Sequence, residues 1–213
     1  MITLYHCKSA RSFRALWALE ETGLDYELKM LPFPPRAKAR EYLDVNPLGT
    51  VPTLFDGNLR MTESAAMCHY LAAKDPAGTI HVQESDPQFG DYLNWLHHGE
   101  ATLTFPQTLV LRYGQLEPPE RRLPQAAEDY RKWFLARLRL MEPVIAQQPY
   151  LLGERFTAAD ISVAYALFLA KNLGIDGEFS EAVQTYAERT QARPAFQRSL
   201  ETEQEQARAQ GVA

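Results

Sequence analysis

Val51-Pro52-Thr53-Leu54 sets a proline into an apolar, strand-like run. Proline cannot donate a ladder hydrogen bond, so it is confined to strand starts, edges and bulges. A cis peptide at Val51-Pro52 resolves the conflict. It turns the Val51 backbone outward and leaves its N–H and C=O to pair with the backbone of an extended ligand, as in strand addition. Glu63-Ser64 follows at a hairpin-length interval and opens an apolar helical pattern. Residues 1–27 read as a strand, a loop carrying Ser9 and Arg11, and an amphipathic helix. Together these groups suit a small anionic peptide thiol.

The elements that must position them follow from periodicity. Residues 2–6 form a strand, and Phe13, Leu16, Trp17 and Leu19 mark a helix over 12–22 that Gly23 ends. Residues 26–31 are a second strand, 37–43 a short helix and 51–55 a third strand. Asp56-Gly57-Asn58 turns the chain into a fourth strand at 59–61, and 64–73 is helical. The order β-α-β-α-β-β-α defines a small α/β domain over residues 1–75. Residues 76–87 have linker composition.

The rest, 88–213, reads as an all-helical domain. Residues 89–116 carry Tyr92, Leu93, Trp95, Leu96, Leu103 and Leu109 at helical spacing, interrupted by Pro106, which should kink or break the helix. A second helix spans 128–147. Thr157 and Asp160 form a capping box, with Phe156 and Ile161 as its hydrophobic staple, ahead of a buried helix reaching about residue 173. Residues 182–193 and 194–206 are further helices, the last polar and expected to fray.

Composition narrows the function classes. Of 213 residues, 46% are apolar and 23% charged, which is globular and excludes disorder. A net charge of −5 makes nucleic acid a poor default partner. Cys7 and Cys68 are too few for a disulfide framework and fit a reducing compartment. No signal-peptide pattern opens the chain and no long apolar run interrupts it, so the expected location is cytoplasmic.

In this order and spacing, Val51-Pro52-Thr53-Leu54, Glu63-Ser64 and the capping box resemble the cytosolic glutathione S-transferase superfamily, over nearly the whole chain. The resemblance implies an α/β thioredoxin-like domain followed by an all-α helical-bundle domain. It also implies glutathione as co-substrate without a metal, and a homodimer. Val51, beside cis Pro52, would pair with the cysteinyl backbone of glutathione, and Glu63 and Ser64 would bind its γ-glutamyl end. One carboxylate and one hydroxyl at a helix N-terminus complement that end's ammonium and carboxylate.

Thiol activation requires a donor and positive potential, because a free thiol with pKa ~8.5 is mostly protonated at neutral pH. Ser9 offers a hydroxyl just before the first helix, and Arg11 a guanidinium beside it. Registered on the following helix, Ser9 falls where serine-type classes of the family have their catalytic residue. A register suggested by Arg11-Ser12-Phe13-Arg14-Ala15-Leu16-Trp17 puts Ala10 there instead. Tyr5, at the end of the first strand, stands where tyrosine-type classes place a phenol, against the competing reading of strand packing; Ser12 is a further hydroxyl. Cys7 lacks the second cysteine of a redox pair, and Cys68 reads as a small buried hydrophobe.

His97 and His98, with Glu100 nearby, point about 100° apart on a helix and cannot share one ion, so no metal is expected. Trp95, Leu103, Phe105 and Tyr113 are candidates for lining an apolar electrophile pocket. Arg36, Lys38 and Arg40 are cations that could meet the glycyl carboxylate, with Lys38 the chosen one. Thr50 departs from the basic or amide residue that many relatives carry there. The implied activity is a glutathione transferase attacking small, mostly apolar electrophiles. The alternatives are a glutathione-dependent isomerase or reductase, and a non-catalytic transferase-like interaction protein. The serine at position 9, in place of cysteine, argues against reduction through a mixed disulfide.

Overall fold

The computed structural model describes residues 1–212. Its contacts group Met1–Gln83 with the chain from Ala192 onward as one unit, and Glu84–Gln191 as the other.

The first unit is built on a four-stranded sheet of β1 (Ile2–His6), β2 (Tyr26–Met30), β3 (Thr53–Asp56) and β4 (Leu59–Met61), in the order β2-β1-β3-β4. β1 and β2 are parallel, with Ile2 opposite Tyr26, so the chain must cross over between them through α1 (Phe13–Thr22). Gly23, at φ 64°, closes α1 by donating to the Leu19 carbonyl. β3 runs antiparallel to β1, with Tyr5 opposite Thr53, and β3 and β4 form the hairpin around Gly57 and Asn58. β3 begins at Thr53, two residues later than the sequence suggests, because Pro52 has no N–H for the ladder.

The single helix expected over 37–43 is two short pieces, α2 (Pro35–Lys38) and a 3₁₀ turn over Arg40–Asp44. α3 (Ser64–Lys74) completes this part of the unit and packs on α1.

In the second unit the long helical stretch is neither continuous nor simply kinked. α4 (Phe89–His97) passes into π-helical turns over His98–Thr104, then α5 (Phe105–Leu111) and a second π segment over Arg112–Leu116. Pro106 lies in the first turn of α5, where a missing N–H does the least damage. α6 (Pro124–Arg137), a 3₁₀ turn over Leu138–Leu140 and α7 (Glu142–Ile145) replace the one helix expected over 128–147.

α8 (Ala158–Asn172) is buried along nearly all its length, and α9 (Glu181–Gln191) packs beside it. Thr157 and Asp160 form the expected capping box. Asp160 does more than cap: its carboxylate also accepts from the Leu151 N–H and the Tyr186 hydroxyl, both at 2.9 Å. Burial pushes the Asp160 carboxyl up to about 6, against the pull of these donors.

The last helix, α10 (Pro194–Ala209), belongs with the first unit rather than with the helices before it. It does not fray. Phe196 packs edge-on against Phe13 and Trp17, with centroids 5.3 and 4.9 Å away. Arg193 makes a bidentate pair with Glu21, and Arg198 reaches Glu20. Gln210, just beyond α10, donates to the Leu28 carbonyl and accepts from the Met30 N–H, both at 2.8 Å.

In the helical unit the π turns carry the chain past α8 where only glycine fits. A Cβ on Gly99 would stand 2.4 Å from Ser162 Oγ and 2.5 Å from its backbone, whereas one on Gly90 would meet nothing within 4 Å. Gly99→Ala is therefore expected to destabilise by about 1–3 kcal/mol, lowering Tm by several degrees. Gly90→Ala should leave Tm unchanged or slightly raised. Thermal unfolding of the two variants side by side checks this, and equal Tm values would contradict the close helix crossing.

Candidate active site

The register of β1 against β3 places the loop after His6 alongside Val51 and Pro52, whose connecting peptide is cis. That loop, residues 7–12, is wound by its own backbone: the Ala10 N–H donates to the Cys7 carbonyl at 3.1 Å and the Phe13 N–H to the Ala10 carbonyl at 2.8 Å. Ser12 is buried, and its hydroxyl accepts from the Cys7 N–H at 3.3 Å while donating to the Cys7 carbonyl at 3.4 Å. It is a structural clasp. Ser9, Ala10 and Arg11 are half-buried at the N-terminus of α1.

Ser9 has φ 54°, and its N–H donates to Glu203 Oε2 at 3.0 Å. Left-handed backbone is uncommon for a non-glycine residue and costs about 1 kcal/mol or more, so the surroundings must hold it.

Thr50, Val51 and Pro52 are approached through a loop that buried side chains fix. The Tyr42 hydroxyl donates to the Thr50 carbonyl at 2.8 Å and pairs with Thr53 Oγ1 at 2.6 Å, and Asn46 Nδ2 donates to the same carbonyl at 2.8 Å. Tyr5 stands on the opposite sheet face from His6. Its ring lies 5.4 Å from Tyr42 and 6.2 Å from Phe55, an aromatic packing position.

Glu63 occupies the N-cap position of α3 and is exposed; Ser64 is the first helical residue and is 3% exposed. Ser64 Oγ accepts from Arg14 Nη1 at 3.3 Å, and Arg14, on α1, is fully buried. A guanidinium thus lies beneath the N-terminus of a helix, where positive potential is already raised. Sequence reasoning missed Arg14. The signal was present: it is the one charged residue in Phe13-Arg14-Ala15-Leu16-Trp17-Ala18-Leu19, every member of which is buried.

Arg36, Lys38 and Arg40 are exposed. In the helical unit, Trp95 and Leu103 are buried in the core, Phe105 is exposed and Tyr113 half-buried. A cavity of about 350 Å³ in that unit is lined by Leu93, Asn94, His97, His98, Ala101 and Thr102, and by none of the four residues proposed for an electrophile pocket. His98 turns inward edge-on to Trp95, its ring pKa lowered chiefly by burial, while His97 is exposed. Among the described residues no group of three His, Cys, Asp or Glu side chains is placed to hold a metal ion.

The model of the glutathione S-transferase N-terminal domain matches residues 8–74, and that of the C-terminal domain matches residues 124–200. The chain belongs to the glutathione S-transferase superfamily. It is 27% identical to glutathione S-transferase 3 of Schizosaccharomyces pombe over 184 residues, covering 80% of this chain and 75% of that protein. It is 28% identical to a stringent starvation protein A homologue of Pasteurella multocida over 189 residues, covering 85% and 81% respectively. Among solved structures, Ure2p5 of Phanerochaete chrysosporium, cocrystallised with 1-(S-glutathionyl)-2,4-dinitrobenzene, superposes with a TM-score of 0.82 at 26% identity, covering 96% of this chain and 95% of that one.

Both cysteines are buried and unpaired by disulfide, and burial pushes the Cys7 thiol up to about 12. A thiol so desolvated is a poor nucleophile. Titration of the native transferase-family protein with a chromogenic disulfide reagent at neutral pH is expected to give no fast-reacting thiol, and two after denaturation. Rapid labelling of Cys7 in the folded protein would show the loop after β1 to be more open than described.

Proposed function

We propose that the chain is a glutathione transferase: it binds glutathione on the first unit, lowers the pKa of the bound thiol, and directs the thiolate onto a small electrophile. The observation that carries this reading is the pairing at the start of α3. Glu63 presents a carboxylate to solvent beside the buried Ser64 hydroxyl, and Arg14 lies beneath. Side-by-side acid and base recognise a zwitterion: Glu63 meets the γ-glutamyl ammonium, while Ser64, the α3 N–H groups and the Arg14 charge meet its carboxylate. Val51, ahead of Pro52, pairs with the cysteinyl backbone, and exposed Lys38 meets the glycyl carboxylate.

The thiol then lies by the loop before α1. Ser9 donates its hydroxyl hydrogen to the sulfur, Arg11 and the N-terminus of α1 add positive potential, and each favours thiolate over thiol. The thiolate forms a C–S bond at an electrophilic carbon, and the leaving group departs with the electron pair of its own bond. Tyr5, packed among aromatic rings, and Ser12, bonded twice to Cys7, have no part in this. An aryl conjugate on the glutathione sulfur, the molecule bound to Ure2p5, fits the same chemistry. Trp95, Leu103, Phe105 and Tyr113 enter the pocket reading only through Phe105 and Tyr113, since the other two are core residues.

Reduction through a mixed disulfide has little support: position 9 is serine, and Cys7 is buried with its thiol held protonated. A non-catalytic role, in which the scaffold serves protein interaction, is favoured by the likeness to the stringent starvation protein A homologue. Turnover separates the two. With an aryl halide, Ser9→Ala should lower kcat/KM by about 10- to 100-fold, the worth of one hydrogen bond to a charged group. Arg11→Ala should lower it several-fold, and Glu63→Gln should raise the glutathione KM about tenfold. Full turnover by both Ser9→Ala and Arg11→Ala would refute the assignment of the loop. A wild-type protein with neither turnover nor an ultraviolet thiolate signal on glutathione titration belongs to the interaction class.

The chain is further proposed to act as a homodimer in a reducing, cytoplasmic setting, the arrangement typical of the family. Sedimentation equilibrium should return twice the 24.2 kDa chain mass; a single species at the chain mass removes the dimer.

A further inference from the structure

We infer that Glu203, on the last helix of the chain, is a positioning residue for the thiol-activating loop, with His6 as its second anchor; the inference rests on the transferase reading above. Glu203 lies 194 positions beyond Ser9 in the chain, yet its Oε2 accepts the Ser9 N–H at 3.0 Å. The same oxygen pairs with His6 Nε2 at 2.9 Å. Glu203 is 4% exposed and His6 0%. An acceptor oxygen facing two nitrogens assigns the ring proton of His6 to Nε2, and His6 Nδ1 is buried with no partner. His6 therefore makes its one hydrogen bond to Glu203.

The arrangement addresses the backbone conformation that the proposed chemistry needs. At φ 54° Ser9 is in a region that a serine adopts only when something holds it, and the side-chain direction follows from that backbone. A part-buried hydrogen bond from the Ser9 N–H to the Glu203 carboxylate supplies the hold, and it is charge-assisted. The carboxylate is itself fixed, because α10 is anchored on both sides of Glu203: by Phe196 and Arg198 toward its start and by Gln210 beyond its end. Removing the carboxylate frees the Ser9 N–H and lets the loop relax toward ordinary φ, moving the hydroxyl away from the sulfur. The effect should fall on the chemical step, with glutathione held by Val51, Glu63 and Ser64 as before.

The experiment is a double-mutant cycle on aryl-halide turnover, with Glu203→Ala and Ser9→Ala made singly and together and Glu203→Gln as the conservative variant. Glu203→Ala should lower kcat by on the order of 10- to 100-fold with the glutathione KM changed less than about threefold. It should lower kcat no further in the Ser9→Ala background. Glu203→Gln, whose amide oxygen still accepts the Ser9 N–H, should recover most of the lost kcat. Thermal unfolding at the assay temperature confirms that each variant is folded. If Glu203→Ala fails to fold, the cycle is run with Glu203→Gln and Glu203→Met.

Additive losses, or a loss confined to KM, overturn the positioning role while leaving the transferase reading intact. An inactive wild type that gives no thiolate signal with glutathione overturns both.

Discussion

The first unit is organised by a helix with no solvent side over its first two turns. Phe13 through Leu19 of α1 are all buried, including Arg14, so every flank of α1 must be covered. The sheet and α3 cover part of it. The remainder is taken by α10, whose Phe196 seats between Phe13 and Trp17, and by the ion pairs of Arg193 and Arg198 with Glu21 and Glu20. This is why the end of the chain belongs with its beginning. A crossover helix over a parallel strand pair has one face on the sheet by construction; burying its other faces requires a partner from elsewhere, and here that partner comes from nearly two hundred residues away.

Burying α1 completely forces its polar groups to be useful or costly. The buried Arg14 guanidinium must find acceptors within the core, and Ser64 at the start of α3 is one. The positive charge then sits under a helix N-terminus, the place where an anionic ligand group gains most. Glu203 shows the complementary case: a buried carboxylate whose partners come from the end of β1 and the loop before the same helix. In the helical unit Asp160 plays the comparable part, drawing Leu151, Thr157 and Tyr186 onto one carboxylate. Each carboxylate ties distant backbone to one helix through donors it cannot leave unmade.

Much of this was legible in the residues. Alternation and helical period gave the β-α-β-α-β-β-α order, Gly57 the hairpin, and Thr157 with Asp160 the capping box, because those signals are local. What local pattern could not show is tertiary demand. The composition of α10 is polar, so the sequence reads as a fraying tail, yet Ala195, Phe196, Ser199, Glu203 and Ala207 make a continuous buried stripe. The winding over His98–Thr104 was hidden for a related reason. A π turn answers a close approach, here Gly99 against Ser162, and no single-helix pattern contains its neighbour. For the candidate site, motif order nominated Val51, Pro52, Glu63 and Ser64. Arg14 left a signal, a lone charge in an apolar helix, whose meaning depends on the partner it meets; Glu203 left none, because a glutamate in a polar tail has no significance until its partner is known.

The fold and the proposed thiol chemistry make different demands on these residues. Covering α1, satisfying Arg14 and seating α10 are requirements of folding, and they hold whether or not a thiol is ever activated. The proposed thiol chemistry adds a narrower demand, that the backbone at Ser9 stay in a conformation unfavourable on its own. Phe196 and the paired arginines hold α10 against α1, whereas the positive φ of Ser9 is met by the Glu203 carboxylate. Here the strained residue persists and a buried carboxylate is directed at its N–H. Strain held in place by a dedicated partner costs stability, and that cost is the physical ground for reading Ser9 and Glu203 as the part of this unit that the proposed chemistry, rather than the fold, asks for.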